Sequence, residues 1–117
     1  EKTMAHILIA DDDRTTRTIL RACLSTAGYT VEEAQDGNQA LAICTHNPPD
    51  MLVTNQIMPG LTGLALIKRF HPRIRCILIS ADNKLRNQAT QLGVPFLLKP
   101  VECDDLRNAI QKTMGHP

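Results

Sequence analysis

Met51-Leu52-Val53-Thr54-Asn55-Gln56-Ile57-Met58-Pro59-Gly60 is the stretch whose reading decides the fold. Its opening residues form a short apolar run of strand length, and it closes on Pro-Gly, a turn signal, so it reads as a buried strand ending in a loop. Asn55 stands at the junction. A reactive group there would sit at the tip of a buried strand.

The same alternation extends in both directions. Upstream, His6 to Ala10 reads as a buried strand, and Leu20, Cys23, Leu24 and Ala27 follow at i, i+3, i+4, i+7 as one face of a helix that Gly28 ends as a left-handed cap. Tyr29 to Glu33 is a weaker strand of mixed polarity, suited to a sheet edge. Asp36 with Gln39 resembles a capping box ahead of Ala40, Leu41, Ile43 and Cys44, and Pro48-Pro49 ends that helix. Downstream, a helix is expected from about Leu64 to His71 and a strand from Arg75 to Ser80. Leu85, Ala89 and Leu92 stripe the next helix, which Gly93 ends. Pro95 to Leu98 gives a last strand, and Leu106, Ala109, Ile110 and Met114 mark a final helix. Five strands alternating with five helices, four of the strands apolar enough to be covered on both sides, imply an α/β three-layer sandwich around a parallel sheet.

At 117 residues with 43% hydrophobic content, the chain suits one compact domain over 1–117, with its core at about 6–114. No apolar run is long enough to cross a bilayer and no leader opens the chain, so a soluble protein is expected. A net charge of +1, with both signs interspersed, gives no electrostatic case for a nucleic-acid or membrane partner. Tyr29, Phe70 and Phe96 are too few for stacking recognition. Cys23, Cys44, Cys76 and Cys103 lie far apart without a Cys-x-x-Cys pair, and are expected as buried reduced thiols in a cytoplasmic setting rather than as zinc ligands. His6, His46, His71 and His116 fall singly and are expected in surface or structural roles.

Open parallel sheets place their ligand sites outside the carboxyl ends of the strands. Asp11-Asp12-Asp13 follows the first strand, Asn55 ends the third, Ser80 the fourth, and Lys99 the fifth before Pro100. Adjacent buried carboxylates repel, and a hard cation such as magnesium would relieve them. The alternative, a helix cap, suits Asp13. Lys99 can serve carboxylate or phosphoryl oxygen as a point charge, although an isolated strand-end lysine is usually only solvated. Ser80 can donate to a phosphoryl oxygen, although alone it would be a turn residue.

Ile7-Leu8-Ile9-Ala10-Asp11-Asp12, Met58-Pro59-Gly60 with Gly63, Ser80-Ala81 and Lys99-Pro100 are each weak signals. In this order, from His6 to Met114, they resemble the receiver domain of bacterial two-component response regulators. The resemblance implies a flavodoxin-like (βα)5 fold with strand order 2-1-3-4-5. It implies magnesium held by Asp11, Asp12, position 55 and the backbone carbonyl of Ile57, with Lys99 binding the phosphoryl group and Ser80 as the switch hydroxyl. Phe96 would be the aromatic that changes rotamer, or equally a static core side chain. The implied partner is a histidine kinase or a histidine phosphotransfer protein.

The family's phosphoacceptor is an aspartate four residues before the Met-Pro proline, which falls on Asn55. An amide has no free negative charge and is a poor nucleophile, so acyl-phosphate formation is expected to be blocked and magnesium binding weakened. Either asparagine replaces an aspartate in an otherwise complete pocket, or the chain is a native pseudo-receiver working through constitutive protein contacts. The segment around Asp82 to Lys84 is short for the family. Contacts by the face of the fourth helix, last strand and last helix, where receivers dimerise or meet output domains, therefore do not carry over directly. Any output is expected from sequence outside these residues. The competing reading from another class is a small magnesium-dependent phosphatase built on Asp11-Asp12-Asp13. No segment is left to form its substrate cap, and a non-enzyme is expected.

Overall fold

The computed structural model describes residues 5–114, and His116 lies outside them. The strands are β1 His6–Ala10, β2 Thr30–Ala34, β3 Met51–Asn55, β4 Arg75–Ser80 and β5 Phe96–Leu98. The helices are α1 Arg14–Thr26, α2 Gly37–His46, α3 Gly63–Phe70, α4 Arg86–Leu92 and α5 Cys103–Met114. All strand pairs are parallel, in the order β2-β1-β3-β4-β5, which is the flavodoxin-like arrangement.

Period-two alternation sorts the strand side chains into two apolar layers. Leu8, Leu52 and Leu78 face α2 and α3, meeting Ala40, Cys44, Leu66 and Ile67. Ile7, Ile9, Val53, Ile77 and Ile79 face the other way, onto Leu20 and Leu24 of α1 and Leu106 and Ile110 of α5. Register then places the polar residues. Ala10 pairs with Thr54, Asn55 with Ile79, and Ser80 with Leu98, so Asp11, Asn55, Ser80 and Lys99 emerge along one edge of the sheet.

Three strands, not four, are covered on both sides. β5 has only three residues at the sheet edge, Leu98 is 42% exposed, and the short α4 above it buries only Ala89. A 3-10 turn over Asn83–Leu85 leads into α4, capped by the Asp82 side chain. Ala27 lies on the cap of α1 rather than its buried face, and Gly28 follows at φ 98°, the left-handed conformation expected of it.

The cysteine expectation holds for two residues of four. Cys44 and Cys76 are buried free thiols, and burial pushes their pKa values up to about 11 and about 12. Cys23 and Cys103 are joined as a disulfide with Cα atoms 5.7 Å apart, tying α1 to the first residue of α5. Their separation of 80 residues hides the pairing from any reading of spacing. The expectation of reduced thiols therefore holds for Cys44 and Cys76 and fails for Cys23 and Cys103.

Candidate functional site

Asp11 leaves β1 with its side chain buried, and each of its oxygens is used. Oδ2 accepts from Lys99 Nζ at 2.9 Å, and Oδ1 accepts from the Asp13 backbone N–H at 2.9 Å. A buried carboxylate is costly unless paired, and Lys99, at the end of β5, supplies the countercharge from within the chain. Asp12 points outward and is exposed. Asp13 is the N-cap of α1. Its carboxylate accepts from the Thr16 hydroxyl and backbone N–H, which holds its pKa below the ordinary 3.8.

Asn55 ends β3 at 9% exposure, and its Nδ2 donates to the backbone carbonyl of Ile57 at 2.6 Å. The reversed amide would set two oxygens against each other at that distance, so this orientation follows from the contact itself. The loop beyond is tightly tied. Gln56 accepts from Gly63 N–H through its backbone carbonyl and from Leu64 N–H through its side chain, which satisfies two of the open donors of α3. A Cβ on Gly63 would collide with the Asn55 backbone oxygen, so glycine is needed where α3 meets the strand tip.

Ser80, at the end of β4, is buried, and its Oγ accepts from the Asp82 N–H at 3.0 Å. The turn role is therefore present in the structure. Asn55, Ile57, Ser80 and Lys99 line one cavity of about 290 Å³, with Ala81 and Asp82 completing its wall. Asp11 stands behind Lys99. Phe96 lies elsewhere, half-buried against the core, with the Arg86 guanidinium 4.8 Å from its ring centroid.

A supporting pair of arginines and one glutamine were not anticipated from the sequence. Arg17 donates to the Asp11 backbone carbonyl at 2.8 Å and to Glu33 at 3.0 Å, linking the site to the β2 edge. Arg21 also donates to Glu33, and this bond, with that of Arg17, holds the Glu33 pKa below its ordinary 4.5. The i, i+4 spacing of Arg17 and Arg21 was the available signal. Gln56 is the other, with no signal beyond its place next to Asn55.

The sequence model of the response regulator receiver domain matches residues 7–111. The Response regulator MprA of Mycobacterium sp. (strain KMS) is 48% identical over 107 residues, 86% of this chain and 46% of that protein. Sporulation initiation phosphotransferase F of Bacillus subtilis (strain 168) is 32% identical over 112 residues, 91% of this chain and 90% of that protein. The chain spans about a quarter of the length of the NtrC transcriptional regulators it matches. Among solved structures, a putative response regulator from Chloroflexus aurantiacus superposes at a TM-score of 0.89 with 29% identity, covering 97% of this chain and all of that one. The response regulator TrrA of Thermotoga maritima, in complex with Mg(2+)-BeF, gives a TM-score of 0.83 at 25% identity, covering 94% and 99%.

Proposed function

The chain belongs to the response regulator receiver family, and on that premise we propose that residues 1–117 are a single receiver domain, core about 6–114, whose phosphoryl chemistry is closed at Asn55. Receivers of this family work in two-component signalling, taking phosphoryl groups from histidine kinases or phosphotransfer proteins. In the proposed reading Asn55 occupies the acceptor position, Lys99 and Ser80 are the groups that would steady phosphoryl oxygens, and Phe96 is the switch aromatic. The observation that carries the closure is the hydrogen bond from Asn55 Nδ2 to the Ile57 carbonyl. The amide nitrogen has no lone pair free for attack, and the amide oxygen bears no full charge.

Receiver domains generally bind magnesium, and TrrA was solved with it. The donor set here fits a cation in part. Asp11, Asp12 and the Ile57 carbonyl remain, but one carboxylate is missing, Asp11 already pairs with Lys99, and the Ile57 carbonyl already accepts from Asn55. A bound divalent ion would supply positive charge to phosphoryl oxygens; with this donor set its affinity is reduced.

Partner recognition does not need the missing acid. An apolar cleft of about 420 Å³ runs beside Lys99, lined by Thr16, Ile19, Leu20, Pro100 and Val101, and Ile19 is 55% exposed on its rim. We assign this cleft to contact with a histidine kinase or phosphotransfer protein, and any output domain or homodimer to surfaces beyond it. No nucleic-acid, membrane or enzymatic role is assigned to the domain; none of its described helices is long and apolar enough to cross a membrane. Intact-mass measurement with a small phosphodonor and magnesium tests the reading. The chain as given gains no phosphoryl mass, and Asn55→Asp gains one; stable labelling of the former, or an inert, folded Asp variant, overturns it. The outcome is the same whether asparagine is native or replaces an aspartate.

A further inference from the structure

From Met51 to Ala81 the chain has no Asp or Glu, yet it carries Lys68, Arg69, His71, Arg73 and Arg75. The fold gathers part of this charge at the end of the sheet opposite the Asn55 pocket, where α3 ends and β4 begins. The last turn of α5 adds Lys112. These elements border an open hollow of about 630 Å³ whose walls include His71, Arg73, Arg75, Gly93 and Lys112, with no carboxylate among the described residues that line it. That volume lies within the roughly 300–1,000 Å³ usual for small-ligand sites.

Arg17, Arg21, Lys99 and Arg107 each meet a carboxylate. Among the described residues, Arg73, Arg75 and Lys112 do not. Arg73 is held in place, donating through Nη2 to the Arg69 carbonyl at 3.0 Å and lying over the Phe70 ring. The His71 Nδ1 is buried without a hydrogen-bond partner. A buried N–H with no acceptor is costly, which favours the tautomer whose N–H is on Nε2, the ring nitrogen nearer Gly93. Nε2 lies 3.9 Å from where a Cβ on Gly93 would stand, an ordinary contact distance, so residue 93 does not crowd this side of the ring. Helix dipoles account for Lys68, Arg69 and Lys112 one at a time, each in the last turn of its helix. They do not account for Arg73 and Arg75 lining the same hollow as Lys112 and a histidine N–H.

We propose that this hollow is a binding site for a small polyphosphate-bearing anion, remote from the phosphoacceptor pocket. Guanidinium forks, an ammonium and an imidazole N–H are complementary to clustered phosphoryl oxygens, and the concave wall favours a compact ligand over an extended strand. The test is an amide NMR titration of the full chain with sodium tripolyphosphate and, separately, adenosine triphosphate, against sodium chloride at matched ionic strength. Saturable shifts centred on residues 71–76, 93 and 112–113, weakened about tenfold in Arg75→Ala/Lys112→Ala, are expected. Equal affinity for both probes places recognition in the phosphates, and tighter binding of the nucleotide adds its base or sugar; either supports the site. Arg75 and Lys112 are exposed, so an unchanged melting temperature confirms that the double variant folds. Shifts reproduced by sodium chloride, shifts centred on Lys99, or shifts spread over basic residues outside the hollow would each overturn the proposal.

Discussion

Replacing Asn55 by aspartate should turn the pocket into one that holds a divalent ion more tightly. In the present chain Nδ2 donates to the Ile57 carbonyl at 2.6 Å in a site only 9% exposed. An aspartate oxygen would meet that carbonyl oxygen with no proton between them. The lost hydrogen bond is worth about 1 kcal/mol, and a carboxylate set against that oxygen, on a residue only 9% exposed, adds about 1 kcal/mol more. Lys99 lines the same cavity, but its Nζ already bonds Asp11 at 2.9 Å, so its charge would be divided between two carboxylates. A net loss of about 2 kcal/mol is therefore expected, roughly 6–10 °C in melting temperature for a chain of this size. Magnesium at about ten times its dissociation constant returns about 1.4 kcal/mol to the variant. Thermal melts followed by circular dichroism, with chelator and with millimolar magnesium chloride against sodium chloride at equal ionic strength, measure both effects. Asn55→Asp should melt lower with chelator and recover much of the loss with magnesium, while the parent chain shifts by less than about 1 °C. A parent that gains as much from magnesium as the variant, or a variant as stable as the parent in chelator, would refute the reasoning.

Other substitutions and titrations probe the same network. Lys99→Ala strands the buried Asp11 carboxylate and should cost about 3 kcal/mol, most of it recovered by adding Asp11→Asn, as read by a denaturant double-mutant cycle. Glu33 binds its proton less tightly in the folded state because of Arg21 and Arg17. Its contribution is present above the ordinary 4.5 and is lost as pH falls through the lower folded value, so Glu33→Gln should flatten the acid limb of a stability–pH curve below pH 4.5. Cys44 and Cys76 shift the opposite way. The folded chain retains protons that the unfolded chain releases, so stability should fall as pH rises from 9 toward about 11 and about 12, a loss that Cys44→Ala/Cys76→Ala removes. Thiol titration of the unfolded, unreduced chain should count the two free cysteines, and four after reduction.

What the sequence disclosed and what it hid divide along a physical line. β1, β3 and β4 were legible because a strand covered on both faces must be apolar at nearly every position, and Met51 to Thr54 or Arg75 to Ser80 carry that signature locally. The gathering of Asp11, Asn55, Ser80 and Lys99 at one edge was legible because parallel topology sends every strand's carboxyl end there, whatever the residues do. Side-chain reach over long separations was hidden. Nothing local joins Cys23 to Cys103, or turns Arg17 back to the Asp11 carbonyl. The coverage of β5 was misjudged because it depends on how much of α4 packs over the edge. Charge was read as interspersed along the chain, and only the meeting of α3, β4 and α5 makes the basic hollow visible.

Asn55 and Lys99 answer the same electrostatic problem by different means. A receiver pocket concentrates acids and a loop carbonyl around a point where positive charge is needed. Here Lys99 takes the Asp11 carboxylate and the Asn55 amide takes the Ile57 carbonyl, so both of these oxygens have a donor from the chain itself. Those two bonds give the strand tips and the following loop a fixed geometry in which no external charge is required. On the proposed reading, magnesium would compete with donors already in place, and a phosphoryl group would meet an ammonium already paired and an amide at the acceptor position. Each substitution that removes one donor should therefore raise the demand for the ion, and Asn55→Asp should do so most, since it removes a donor and adds a charge in a single step.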